Sequence, residues 1–425
     1  MKSYRQYGRI RVMVLVLVFL CMVMEPVMGI GAKKISNSTE NSQAVNKNEL
    51  RGVWISYLEF ANAQVSKMSK STFCSYIDTM FDKCKELKMN TVVVQVRPSG
   101  DAMYPSKYYP WSSYISGEQG KALAYDPLSY MVASAHRRGL RFYAWVNPYR
   151  VSAVSTDITK LAVDNQARKW RTSKDKGLKR NVLTYHNQLY YNPAKNEVRT
   201  LIVNGVKEIV RNYAVDGIVF DDYFYPDLGQ SYKSNFDAVE YKNYCAACKQ
   251  KGKTYKSITE WRRSNVSGLL KRVKSASKAI RKSVQFGVSP QGNIDNLYLS
   301  NANYCDVKRW MKSSGFIDFI CPQIYWSTSN PSRPYNKAVE EWASFKTNKV
   351  KFYVALAVYK AGLSKQEASR LSPADMRWCK ADTNLKEQVV NGRKIGKAEG
   401  FMFYRYDNLV SSKACSEKKN LLSVL

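Results

Sequence analysis

The chain reads as α/β, a (βα)8 TIM barrel with long loops after the third and fourth strands, and three observations predict it. Eight short, mostly apolar segments recur near 51–57, 91–97, 140–146, 216–221, 285–289, 316–321, 351–357 and 400–405, with amphipathic stretches between most of them. Several of these segments run straight into clusters of polar and aromatic residues. No Gly-rich phosphate loop follows an early strand, as a doubly wound open sheet would usually require.

The elements before the barrel read differently. Lys2, Arg5, Arg9 and Arg11 precede an apolar run from Val12 to Met24, and small residues follow at Gly29, Gly31 and Ala32. This is the pattern of a secretory signal peptide over 1–32, too short for a membrane span, although without a clean small-x-small site an uncleaved anchor stays open. Residues 33–49 are rich in Ser and Asn and lack periodicity, which predicts a flexible leader. Residues 50–425 show no internal repeat and no later linker, and read as one domain.

Within that domain the strands end in similar ways. Thr91 to Arg97 leads to Pro98-Ser99-Gly100-Asp101, and Leu140 to Val146 leads to Asn147-Pro148-Tyr149-Arg150. Val284 to Ser289 leads to Pro290-Gln291-Gly292-Asn293, and Phe316 to Cys321 leads to Pro322-Gln323-Ile324-Tyr325-Trp326. The clearest helices run over 71–87, 127–138, 198–213 and 258–281, where apolar residues recur at three- and four-residue steps. Length beyond a minimal barrel is concentrated in 151–197 and 223–256. In a TIM barrel, loops at the C-terminal strand ends build the active site.

Composition narrows the partners. The chain carries 67 Lys plus Arg against 34 Asp plus Glu, a net charge of +33, and removing the four basic residues and Glu25 of the signal segment leaves +30. Such a charge seeks polyanions; with a secretion signal it points to anionic cell-envelope polymers rather than nucleic acid, and no obligate protein partner is evident. Nine cysteines are present, one of them in the signal segment, and Cys245-Ala246-Ala247-Cys248 has no second pair of its kind. That excludes a two-knuckle zinc pattern and predicts a local disulfide in an exposed loop. No metal and no organic cofactor is implied.

With 2 His in the chain, His136 and His186, histidine triads have little material, and no Gly-x-Ser-x-Gly elbow or P-loop occurs. Acid–base chemistry falls to carboxylates. The run Asp216-Gly217-Ile218-Val219-Phe220-Asp221-Asp222-Tyr223-Phe224-Tyr225-Pro226 delivers two adjacent acids and three aromatics to one strand end. Carboxylates cleave glycosidic bonds and aromatic faces stack on pyranose rings, although adjacent acids also occur in solvated turns and helix caps. Side chains alternate along a strand, so if Val219 faces the barrel, Asp221 tops the lumen.

Asp221 is therefore the primary catalytic candidate. Asp222 is either its partner in the cleft or a residue that positions the loop, and Asp101 is the best candidate from elsewhere. Arg97, Asn147, Tyr149, Arg150, Gln291, Asn293 and Gln323 are candidate hydrogen-bond donors to a sugar. Trp145, Tyr223, Tyr225, Tyr325 and Trp326 are candidate stacking platforms, and Tyr104 a further substrate contact.

Five motifs in order also carry a resemblance. They are Arg51-Gly52-Val53-Trp54, the run from Gln95 to Ser106, Ala144 to Arg150, Asp216 to Pro226, and Pro322 to Trp326. Together they are similar to the bacterial glycosyl-hydrolase-10-like family over about residue 50 to the end of the chain. The resemblance implies a secreted or envelope (βα)8 glycosidase and, for some relatives, action on peptidoglycan strands stripped of their peptides. It also implies an active site at Asp101, Asp221 and Asp222, without deciding which is acid and which base. The expected function is hydrolysis of an envelope polysaccharide, most readily peptidoglycan glycan strands. A non-catalytic carbohydrate-binding barrel at the cell surface is the alternative, since a fold does not by itself confer activity.

Overall fold

Valine-rich strands pair in parallel around a nearly closed ring. In the computed structural model, which describes residues 48–347, 349–371 and 373–425, the ring comprises β1 (Leu50–Ile55), β2 (Thr91–Arg97), β3 (Arg141–Val146), β4 (Gly217–Asp221), β5 (Gln285–Ser289), β6 (Phe319–Ile320), β7 and β8 (Gly400–Tyr404). The seventh strand is divided into Lys351–Phe352 and Val354–Ala357. Its first part pairs with β6 and its second with β8, and β8 pairs with β1, so the divided strand closes the ring. The expected signal peptide, and the leader through residue 47, lie outside the described residues. Glu49, the last residue assigned to the leader, already belongs to the fold, in an ion pair of 2.7 Å with Arg393.

Every segment expected to be a strand contains one, but the sixth is shorter than the expected 316–321. Asp318 there takes a different part: its carboxylate accepts the Phe286 backbone N–H at 2.9 Å and pairs with Lys274 and Lys278. Pro322, which has no N–H to give, follows the strand on the other side.

The lumen is filled by Leu50, Trp54, Val93, Tyr143, Trp145, Val219, Phe319, Cys321, Tyr353, Ala355 and Met402. Large rings are accommodated where the neighbouring strand has no side chain: a Cβ on Gly287, the register partner of Phe319, would overlap the Phe319 ring. The outward faces of the same strands, including Val92, Val94, Val96, Phe142, Ile218, Phe220, Phe286 and Val288, pack under the helices. Each side chain swaps faces at the next residue, so Val219 in the lumen places Asp221 above it.

The helices fall within a residue or two of the expected ranges, at Lys70–Glu86, Pro127–Arg137, Asn196–Asn212 and Ile258–Ile280. Their starts carry local caps: Ser69 accepts from Thr72, Asp126 precedes Pro127 and accepts from Ser129, and Ser257 with Glu260 forms a capping box. In Asn196–Asn212, the buried Val198, Leu201, Ile202, Val206 and Ile209 form the stripe facing the strands. His136, in the last turn of Pro127–Arg137, bonds through Nε2 to Asp216 at 2.9 Å just before β4.

The two long excursions have structure of their own. After β3 the chain forms a three-stranded antiparallel sheet from Arg150–Ser152, Val182–Tyr185 and Gln188–Tyr191, with Arg150 opposite Tyr190. After β4 it forms the helix Ala238–Gln250. Cys245 and Cys248 lie in this helix, not in a loop, and both are free thiols, which corrects the expected local disulfide. Tyr241 and Tyr244 pack on Trp261 of the next helix, 5.4 and 5.9 Å between ring centroids, and hold the segment helical. Among the described residues no helix is long and apolar enough to cross a membrane.

Candidate active site

A cavity of about 360 Å³ opens at the C-terminal ends of the strands. Trp54 and Tyr57 come from β1 and its exit, Gln95 from β2, and Trp145, Asn147 and Arg150 from β3 and the turn beyond it. Asp221 comes from the end of β4 and Tyr223 from the turn beyond it, Gln323 and Tyr325 follow β6, Tyr359 follows β7, and Tyr404 ends β8. Rings surround the cavity: Trp54 meets Trp145 edge-on at 5.0 Å, and Tyr325 stacks on Tyr404 at 6.2 Å.

Asp221 is the sole carboxylate among the residues lining this cavity, and it is 3% exposed. Its Oδ2 accepts from Trp145 Nε1 at 3.1 Å and from Asn147 Nδ2. Asn147 Oδ1 accepts from Gln95 Nε2 at 2.6 Å, and Gln95 Oε1 accepts the backbone N–H of Tyr57 at 3.1 Å. A peptide N–H can only donate, so the Tyr57 amide fixes the orientation of Gln95, which fixes that of Asn147. The Asn147 NH2 group must then face the carboxyl. Oδ1 of Asp221 is buried without a hydrogen-bond partner.

Burial pushes the Asp221 carboxyl up to about 7; Arg150 pulls the other way, and Asp222 adds to the rise. A carboxyl in that range holds a proton in weakly acidic solution and can deliver it to a leaving oxygen. Asp222, on the opposite face of the strand end, does not line the cavity. Its Oδ2 accepts the backbone N–H of Gln291 at 2.7 Å, tying the β5 loop to β4. Burial raises it to about 6 against that hydrogen bond. Of the two alternatives the sequence left open, this contact is the loop-positioning one.

Asp101 is also buried and raised to about 6, chiefly by desolvation, with Gln119 donating to Oδ2 at 3.0 Å. It lies beneath the loops and does not line the cavity.

The expected substrate contacts divide into three groups. Trp145, Asn147, Arg150, Tyr223, Gln323 and Tyr325 line the cavity. Arg150 and Tyr223 also line an adjoining groove of about 860 Å³, together with Tyr225 and Gln291. The remainder face elsewhere. Arg97, Tyr104 and Tyr149 are at most 1% exposed, so their expected sugar contacts are corrected: Arg97 lies over the Tyr109 ring at 4.4 Å, Tyr104 packs edge-on to Tyr213, and Tyr149 edge-on to Phe224. Arg97 ends β2 just past a register shift between Gln95 and Arg97, and Tyr104 and Tyr149 lie in the chain beyond β2 and β3; all three side chains are buried in the outer core or against it.

Asn293 caps the short turn Ile294–Leu297 by accepting from the Asp295 N–H at 3.0 Å, and does not reach the cavity. Trp326 is half-buried against the outer core, its ring so close to Gly292 that a Cβ there would sit 2.8 Å from it. Four lining aromatics, Trp54, Tyr57, Tyr359 and Tyr404, were not among the expected contacts. Tyr359 and Tyr404 stand at the ends of β7 and β8 as Tyr325 does past β6, so the same strand-end signal is present for them in the sequence. Among the described residues, no group of three His, Cys, Asp or Glu is arranged to hold a metal ion.

Comparison with known proteins decides the family: that described as Glycosyl hydrolase-like 10 matches residues 49–372. The chain belongs to the glycosyl hydrolase-like 10 family. Within reach of this assignment are the glycosyl hydrolase YngK of Bacillus subtilis, 38% identical over 87% of this chain and 70% of that protein, and the glycosyl hydrolase DigH of Escherichia coli K12, 31% identical over 89% of this chain and 87% of that protein. Solved structures share the barrel at low identity. The PgaB (BpsB) glycoside hydrolase domain of Bordetella bronchiseptica superposes with a TM-score of 0.53 at 13% identity, covering 88% of this chain and 99% of that one. The β-amylase catalytic domain of Paenibacillus polymyxa gives 0.55 at 12%, covering 89% and 99%. The family implies a glycan as substrate.

Proposed function

We propose that the protein is a glycoside hydrolase acting on peptidoglycan glycan strands freed of their peptides, with Asp221 as the proton donor. One observation carries the catalytic part: the sole carboxylate lining an aromatic cavity is oriented by Trp145 and Asn147 and held up to about 7. Protonated, it delivers its proton to the leaving glycosidic oxygen as the bond to the anomeric carbon breaks and the sugar ring gains oxocarbenium character; a water oxygen then bonds to that carbon, and the proton it releases restores the acid. Tyr223, Tyr325, Tyr404 and Trp145 supply faces for the pyranose rings. Asp222 keeps Gln291 in the wall of the adjoining groove and adds negative charge next to the reacting position.

The substrate and location rest on the leader and the charge. A secretory signal followed by a strongly basic chain fits a protein released to, or anchored in, the cell envelope, where anionic polymers retain it. The test is incubation with stripped strands and measurement of new reducing ends. A catalyst releases them in proportion to enzyme and time. A carbohydrate-binding barrel without activity retards the strands and releases none, and that result would replace this reading.

A further inference from the structure

Arg150 stands where the cavity meets the adjoining groove and lines both. Its guanidinium lies 4.6 Å from the centre of the Tyr223 ring, which is 53% exposed, and its backbone pairs with Tyr190 at the edge of the three-stranded sheet. Among the described residues its side chain has no ion pair and no hydrogen bond.

No carboxylate of the described residues forms an ion pair with it, although its charge bears on Asp221, whose carboxyl burial pushes up and Arg150 pulls down. In the cavity the one carboxyl is Asp221, whose Oδ2 is engaged by Trp145 and Asn147 and not by Arg150. In the groove the one carboxylate is Asp227, whose Oδ1 accepts from Asn301 at 2.8 Å and from the Gly229 N–H at 2.9 Å and which forms no ion pair with Arg150. Apart from His186 in the groove, the rest of both walls carries no charged side chain. A ring under the guanidinium fixes its plane while leaving its N–H edges unused, and that edge matches the two oxygens of a carboxylate.

We propose that Arg150 is the specificity residue of the cleft, binding a carboxylate carried by the saccharide. The proposal rests on the peptidoglycan reading for the identity of that carboxylate: the lactyl group of a muramyl residue, which is an anion once its peptide is gone and a neutral amide before. Uronic acid polymers present the same chemistry and are the other source. The position of Arg150 places the acid sugar across the junction, with one neighbour in the cavity beside Asp221 and the other in the groove.

The experiment compares stripped strands with the same strands after their lactyl carboxylates are coupled to methylamine, using the wild type, Arg150→Met and Arg150→Lys. KM and kcat are measured separately, with melting curves to confirm folding. The wild type is expected to show a KM on the order of 10- to 100-fold higher on the amide form, the scale of a lost charge-assisted pair. Arg150→Met should treat the two forms alike, and Arg150→Lys should recover part of the preference for the acid. A wild type that does not discriminate overturns the proposal without recourse to any variant. So does an Arg150→Met protein that discriminates as the wild type does.

A titration with oligogalacturonate separates the sources. If the wild type neither binds nor cleaves stripped strands but binds the uronate through Arg150, the peptidoglycan reading falls and the carboxylate site stands. If the folded wild type binds no acidic saccharide, the carboxylate site falls.

Discussion

Asn147 gives its side-chain N–H to Oδ2 of Asp221, the same oxygen that accepts from Trp145, so both donors hold one edge of the carboxyl while Oδ1 is buried without a hydrogen-bond partner. A donor to a carboxylate favours the charged form. Asn147→Ala should therefore raise the Asp221 pKa further and move the alkaline limb of the activity profile to higher pH. Gln95→Leu should act in the same direction through loss of the bond that orients Asn147. A profile unmoved in both variants would remove the relay from catalysis.

Asp221→Asn should lower turnover of any glycan the wild type cleaves by at least roughly 10²-fold, the usual loss for an acid–base group. Asp222→Asn keeps a carbonyl acceptor for the Gln291 N–H and should cost less. Equal losses in the two variants would make the adjacent acids a working pair rather than an acid and its loop anchor.

Stability and pH are linked through the same residue. Asp221 has a folded-state pKa of about 7 against an ordinary value of 3.8, so the folded chain holds this proton more tightly than the unfolded chain. Its stabilising contribution is complete below the unfolded value and is lost as pH rises through about 7. Asp221→Asn, uncharged at every pH, should then melt above the wild type at pH 8, and that advantage should shrink towards pH 4. Denaturation across that range checks it, and a variant less stable than the wild type at pH 8 would contradict the burial account.

Two tyrosines test the division between cleft and core. Tyr104 is 0% exposed, and Tyr104→Ala should cost about 3–5 kcal/mol of folding stability, as for other buried aromatics. Tyr223, at 53% exposure, should lose glycan affinity on change to Ala with little change in melting. Chemical denaturation and oligosaccharide titration on both variants decide it.

Retention on the envelope should follow salt. Exposed charges are screened over about 8 Å at physiological ionic strength, so binding to whole cell walls should fall steeply as salt rises, while cleavage of a short neutral oligosaccharide changes little. A parallel response would place the charge dependence in the cleft.

How much of this was legible in the sequence depends on the range of the forces involved. The barrel was legible because each strand and helix announces itself locally, through runs such as Thr91 to Arg97 and the apolar stripe from Val198 to Ile209. Asp221 was legible for a related reason: strand alternation ties it to Val219, and a parallel barrel sends every such strand end to one face. Asp101, Tyr104 and Tyr149 follow equally suggestive strand ends, yet turn into the layer beneath the loops, because the chain after a strand end is no longer bound to the two-residue period; Arg97 leaves that period within β2, at the register shift after Gln95. Whether such a side chain meets substrate or core is decided by what packs on it from far away in the chain, as Tyr213 does on Tyr104 and Phe224 on Tyr149. The sequence by itself determined the architecture and the strand end that carries Asp221 and Asp222. The tertiary structure alone decided the relay from Tyr57 to Asp221, the core positions of the misplaced contacts and the unpaired guanidinium of Arg150, since each depends on groups brought together from separate strands and loops.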